Sequence, residues 1–165
     1  MLVDDGRVVA EASVIIEHLD LSHPGPARLV PGDAAEALEA RFMDRFFDNH
    51  VMTPMQAPVF EALRPDGGRK EEALATSARM LDTAYAWLEA RLQGRTWAAG
   101  DAFTLADCAA APALFYADWV HRIGDAYPMV RAYRTRLLAR PSFARAVRKG
   151  GRTLTPTQSS PAAYS

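Results

Sequence analysis

The spacing of hydrophobic and polar residues divides the chain into a short β segment and a longer helical one. Leu2-Val3 and Val8-Val9 are β-formers on either side of Asp5-Gly6, a pair that tolerates positive φ, and this predicts a hairpin over the first ten residues. Two strands bury too little to stand alone in water, so the hairpin needs a cover. From about Glu11 to Leu19 the pattern is helical. Val14, Ile15, Ile16 and Leu19 supply an apolar face, and Glu11 suits the positive N-terminal end. Three prolines and two glycines then forbid a helix over residues 20–32, the best candidate boundary in the chain.

Beyond that boundary the period is that of helices throughout. Asp33-Ala34-Ala35-Glu36 is a capping-box-like start, and Leu38, Phe42, Met43, Phe46 and Phe47 recur at spacings of three and four. Pro54 and Pro58 are expected to kink or divide this helix before Pro65-Asp66-Gly67-Gly68 ends it. Leu74, Ala78, Leu81, Tyr85, Leu88 and Leu92 predict an amphipathic helix over about Lys70 to Gln93, with Gly94 as its stop. Thr104 and Asp107 are placed to cap the next helix reciprocally, with Phe103 and Cys108 at the two staple positions. Both Thr104 and Asp107 are assigned to stability. Cys108, Pro112, Phe115 and Trp119 form one stripe of that helix, and Pro112 predicts a bend. Pro128 and Pro141 each fit the first position of a further helix. Residues 150–165 are rich in Ser, Thr, Gly and Pro and are expected to form a disordered tail.

Composition narrows the chemistry. The 165 residues are 49% hydrophobic, enough for one core, and no apolar run reaches the ~18 residues that a membrane helix needs. One cysteine excludes an internal disulfide framework and a Cys-based zinc cluster. The four histidines show no ligand spacing, so no metal is expected. With no export signal at Met1-Leu2-Val3, a cytoplasmic location is expected. The net charge of −1 conceals an asymmetry, because residues 126–165 hold eight bases and no acid. That block reads as the solvated face of terminal helices. Nucleic acid is not expected as a partner, since no aromatic residues interleave with the bases to stack on.

Three stretches resemble the cytosolic glutathione transferase family. Val3 to Leu19 is similar to the hairpin and Glu-Ser helix that end the family's thioredoxin-like domain. Trp97 to Asp107 is similar to the Gly-Asp-x-Phe-Ser/Thr-Leu-Ala-Asp segment leading into the central helix of its all-helical domain, and Arg140-Pro141-Ser142 to the Arg-Pro-Ser that opens a late helix. The implied fold is mainly α: a glutathione transferase C-terminal-type bundle over residues 34–149, preceded by a remnant β-hairpin and helix of a thioredoxin-like domain over 1–20 and a linker over 21–33. The resemblance implies that the chain starts late in that first domain, beyond the Ser, Tyr or Cys that activates the thiol, so no catalytic residue is assigned.

The resemblance further implies glutathione as substrate and a small apolar electrophile as its partner. Glu11-Ala12 stands where the family has Glu-Ser, so only backbone groups of Glu11 and Ala12 remain from the γ-glutamyl contact. Met52, Met55, Phe115, Tyr116 and Trp119 are candidates for the electrophile pocket, though Met and aromatic residues at helical spacing more often form core. A homodimer is expected through the helices that start near Glu11 and Ala34. Three readings stay open: a transferase with impaired conjugation in this chain, a non-catalytic helical interaction or ligand-binding module, and a truncated product without function. Cys108 has no adjacent base and is expected to be inert.

Overall fold

A computed structural model of the chain describes residues 1–65 and 68–153. Strands β1 (Leu2–Asp4) and β2 (Arg7–Val9) pair antiparallel with Leu2 opposite Val9. Asp5 and Gly6 between them have φ of 46° and 79°, the left-handed pair that a two-residue hairpin needs. Helix α1 (Ala12–Ser22) follows, and among the described residues seven more helical segments come after it: α2 (Ala34–Phe46), a π-helical stretch (Phe47–Met52), α3 (Thr53–Ala62), α4 (Lys70–Arg91), α5 (Leu105–Val120), α6 (Pro128–Ala139) and α7 (Pro141–Thr153). Helix α1 runs three residues past its expected end, into the stretch read as linker. Helix α7 takes in residues 150–153 of the expected tail; residues 154–165 lie outside the described residues.

The cover of the hairpin is α1. His18 and His23 both hydrogen-bond Asp4 Oδ2 at 2.8 Å, tying the end of β1 to the far end of the helix. The proline-rich segment is a pinned joint. Asp20 is buried and accepts from the Leu29 amide (2.9 Å), Arg28 Nε (2.8 Å) and the Val30 amide (3.4 Å). Leu29 in turn accepts from the Leu105 amide at 2.9 Å, and Val30, Ala37 and Leu105 form a small core of their own with Ile16 against it. A run too rich in Pro and Gly for a helix is thus fixed through one carboxylate.

The main core lies between α2, α4, α5 and α6 and is centred on Met43, Phe47, Leu81, Tyr85, Leu114 and Tyr133. The inward face of α5 is largely alanine (Ala106, Ala110, Ala113, Ala117), which lets its neighbours approach closely. Cys108, Pro112, Phe115 and Trp119 occupy the other, partly exposed face, so the sequence stripe marks the rim of α5. On α2 the buried apolar set is Ala37, Ala40, Met43 and Phe46, while Leu38 and Phe42 are 68% and 48% exposed. Both point away from the core, a correction to the expected apolar face.

The α5 cap forms as expected and carries more than a cap. Asp107 Oδ2 accepts from the Thr104 amide (2.8 Å) to close the box. Its Oδ1 accepts from the Ala98 amide (2.9 Å) and from the Tyr133 hydroxyl (2.6 Å), joining the α4–α5 loop and α6 to the start of α5. Burial pushes the Asp107 carboxyl above its ordinary range, although each of these donors pulls it down.

Candidate functional site

The start of α1 carries the sequence-predicted glutathione contacts. Glu11 is the N-cap, exposed, with φ 69° and ψ 130°, and its side chain caps nothing. A non-glycine residue in that conformation costs on the order of 1–3 kcal/mol, and such strain concentrates at functional sites. The Glu11 carbonyl takes the Ile15 amide (2.9 Å), while the amides of Ala12 and Ser13 open the helix with no acceptor inside it. The Ser13 hydroxyl donates to the Asp44 carboxylate (2.9 Å) on α2 and accepts from Arg45 Nη2 (3.2 Å), so it is bound into the scaffold.

On the π-helical stretch stands Asp48, whose carboxyl feels the charge of Glu11. Arg45 pairs with both Asp44 and Asp48, and its own charge is held more firmly by Asp44. Burial raises the Asp48 carboxyl, Arg45 lowers it, and Asp44 and Glu11 push it up again. The α1 start therefore presents free amides beside a small negative wall. The sequence reading missed Asp44, Arg45 and Asp48; their one signal was three charges within a single turn on a helix otherwise read for its apolar positions.

The same helical run leads to an apolar cleft. The Thr53 amide reaches back five residues to the Asp48 carbonyl, and Thr53 Oγ1 bonds the same carbonyl at 2.9 Å. This wide turn lies just ahead of Pro54, which has no N–H to give and would crowd the carbonyl four residues before it in a regular helix. The expected division at Pro54 and Pro58 is therefore a widened turn within an unbroken helical run. It places Asp48 and Met52 one turn apart.

Met52, Met55, Val59 and Phe60, with Tyr116, Trp119 and Val120 across from them on α5, line a cleft of about 450 Å³. The polar groups at its rim are Gln56 and Lys70. Of the five pocket candidates, four line this cleft. Met55 belongs to the core at its back, and Trp119 is 48% exposed at its mouth. Phe115 stands outside the lining and props it, packing against Tyr116 (5.0 Å), Trp119 (5.1 Å) and Phe143 of α7 (5.9 Å). Flexible methionines and aromatic rims suit varied apolar ligands. Cys108 is no nucleophile here: burial, with Asp107 beside it, pushes its thiol up to about 11.

Residues 51–141 match the family profile described as glutathione S-transferase, C-terminal domain. A glutathione transferase of Zea mays is 29% identical over 149 residues, covering 84% of this chain and 62% of the maize protein. FtsZ-localized protein A of Caulobacter vibrioides is 32% identical over 145 residues, covering 82% of this chain and 62% of that protein. The chain thus spans less than two thirds of either relative. Among solved structures, a glutathione S-transferase of Methylobacterium radiotolerans in complex with glutathione sulfonate is 34% identical with a TM-score of 0.69, covering 84% of this chain and 66% of the other.

Proposed function

Because this chain belongs to the glutathione S-transferase family, its two features at the α1 start and along α3 acquire a common purpose, and we propose that they form adjoining halves of one site for a glutathione conjugate. The Ala12 and Ser13 amides suit the carboxylate of the γ-glutamyl end, and the Glu11 and Asp48 carboxylates suit its ammonium. The cleft of Met52, Met55, Tyr116 and Trp119 takes the apolar electrophile joined to the sulfur. The reaction is attack of the glutathione thiolate on that electrophile. The observation that carries this reading is continuity: Asp48, whose carboxyl feels the charge of Glu11, and Met52, which lines the cleft, lie one turn apart on a single helical run.

A thiol with pKa near ~8.5 must be shifted down to react at neutral pH, at about 1.4 kcal/mol per unit. No described residue at the α1 start offers a hydroxyl or thiol to do this, because Ser13 is committed to Asp44. The described residues at the α1 start therefore supply binding without thiol activation, and little conjugation is expected from them. The reading includes a cytoplasmic homodimer, drawn not through α1 and α2 as the resemblance implied but through the outer faces of α2 and α4, where Leu38 and Phe42 are exposed and Trp87 packs edge-on against Phe42 at 5.9 Å.

Calorimetry with glutathione and S-hexylglutathione tests the site. Each CH₂ buried contributes up to about 0.8 kcal/mol, so the hexyl tail is expected to tighten binding by at least about tenfold, and Trp119→Ala to remove most of that gain. Equal affinity for both ligands would overturn the reading. It would favour the second one, a non-catalytic interaction module, which the likeness to FtsZ-localized protein A supports.

A further inference from the structure

On the other side of the α5 terminus lies a second, polar cleft of about 500 Å³, lined by Asp118, Arg122, Ile123, Asp125, Arg131 and Arg134 among others. Three guanidiniums meet two carboxylates here. Arg134 forms the floor, with Nε bonded to the Leu114 carbonyl (3.2 Å) and Nη2 paired with Asp118 Oδ2 (3.1 Å), and its Nη1 takes part in neither contact. Asp118 is further committed through Oδ1 to the Ile123 amide (2.9 Å), which fixes the α5–α6 loop over the cleft. Arg131 pairs with Asp125, whose side chain is 97% exposed. An ion pair so open to water contributes little and exchanges readily for another anion. Arg122 makes no hydrogen bond or ion pair among the described residues.

We propose that this cleft binds the phosphate dianion of a small phosphate monoester. The charge balance selects a dianion. Three arginines face two carboxylates here, and with a ligand taking the place of Asp125 on Arg131 they would face the single carboxylate of Asp118, an excess of two positive charges that matches a phosphate monoester in its doubly ionised form. The geometry selects a site rather than a surface patch, since one arginine is anchored at the base and two stand at the rim. The volume exceeds that of inorganic phosphate and falls in the range of small-ligand pockets, about 300–1,000 Å³, so it leaves room for the organic body of the ester. The site lies apart from the apolar cleft, because Asp118 and Trp119 leave α5 in different directions, and it does not depend on the glutathione reading.

The test is titration of the full 165-residue chain, followed by amide and arginine side-chain NMR at fixed ionic strength. The probes are adenosine monophosphate, inorganic phosphate and succinate. A saturable shift at Arg122, Ile123 and Arg131 with the phosphate monoester is expected, weaker with inorganic phosphate and weakest with succinate. Arg122→Ala and Arg131→Ala, both at exposed positions, are expected to weaken binding at least about fivefold each without changing the fold. Vesicles of phosphatidylcholine containing phosphatidic acid separate a free ester from a lipid headgroup, and no co-sedimentation is expected because the phosphate-binding arginine floor is recessed. Shifts that follow ionic strength alone, equal binding of succinate, unchanged affinity in both variants, or binding to vesicles in place of the soluble ester would each overturn the proposal.

Discussion

Removing the Tyr133 hydroxyl is the sharpest probe of how the bundle is held. Tyr133 and Asp107 are both buried, Asp107 completely, and the 2.6 Å bond between them has the length of a phenol donating to a carboxylate. Such a bond contributes about 1.5–3 kcal/mol. At about 2–4 °C per kcal/mol for a chain of this size, Tyr133→Phe is expected to lower the melting temperature by about 3–12 °C. Asp107→Ala goes further. It strands the Ala98 amide, the Thr104 amide and the Tyr133 hydroxyl, each a buried donor whose orphaning costs about 1–3 kcal/mol. With loss of the cap, about 1 kcal/mol more, the sum approaches the whole stability of a domain, about 5–15 kcal/mol. Urea denaturation followed by circular dichroism, run as a double-mutant cycle with Tyr133→Phe and Asp107→Asn, measures the coupling directly. A coupling of at least about 1 kcal/mol is expected. A Tyr133→Phe melting shift under about 1 °C, or an Asp107→Ala protein as stable as the parent, would refute the reasoning.

Three further outcomes follow from the same structure. Burial raises the Asp20 carboxyl, but hydrogen bonds from Leu29, Arg28 and Val30 outweigh it and hold the group below its ordinary 3.8; its contribution to stability is thus full above that value and lost as pH falls through the lower folded one. Asp20→Asn should flatten the acid limb of the stability–pH curve below about pH 4, and an unchanged limb counts against the clamp. Phe42→Glu on the outer face of α2 is expected to turn a dimer into a monomer by light scattering without loss of helix content, and a parent already monomeric at high concentration contradicts that interface. Ser13→Ala is expected to destabilise the α1–α2 contact by about 1 kcal/mol while leaving glutathione affinity unchanged; a large loss of glutathione binding would place the Ser13 hydroxyl in the site.

Local signals were legible in the sequence, and cross-chain ones were not. Asp5-Gly6 announces its hairpin because two adjacent positive-φ residues have few alternatives. Thr104 and Asp107 announce their cap because both partners lie within one turn. The second oxygen of Asp107 was invisible, because Tyr133 reaches it from 26 residues away and nothing local marks a tyrosine as a donor. Leu38 and Phe42 misled, since helical period identifies a face as apolar but does not say whether this chain or another copy covers it. Asp20 sat at the edge of a Pro-rich run that looked like a loose linker, and only the fold shows three donors converging on it. Four of the five pocket candidates met in one cleft because α3 and α5 pack together, while Phe115, at the same helical spacing, turned to prop the others.

If the α1 start and the apolar cleft serve one ligand, that ligand must touch both at once. Binding of S-hexylglutathione, followed at once through the Ala12 and Ser13 amides and through the Met52 and Met55 methyls, tests it most directly. All four signals are expected to move with a single dissociation constant, and plain glutathione to move only the amides. Methyl shifts without amide shifts, or two unrelated constants, would separate the two features and contradict it.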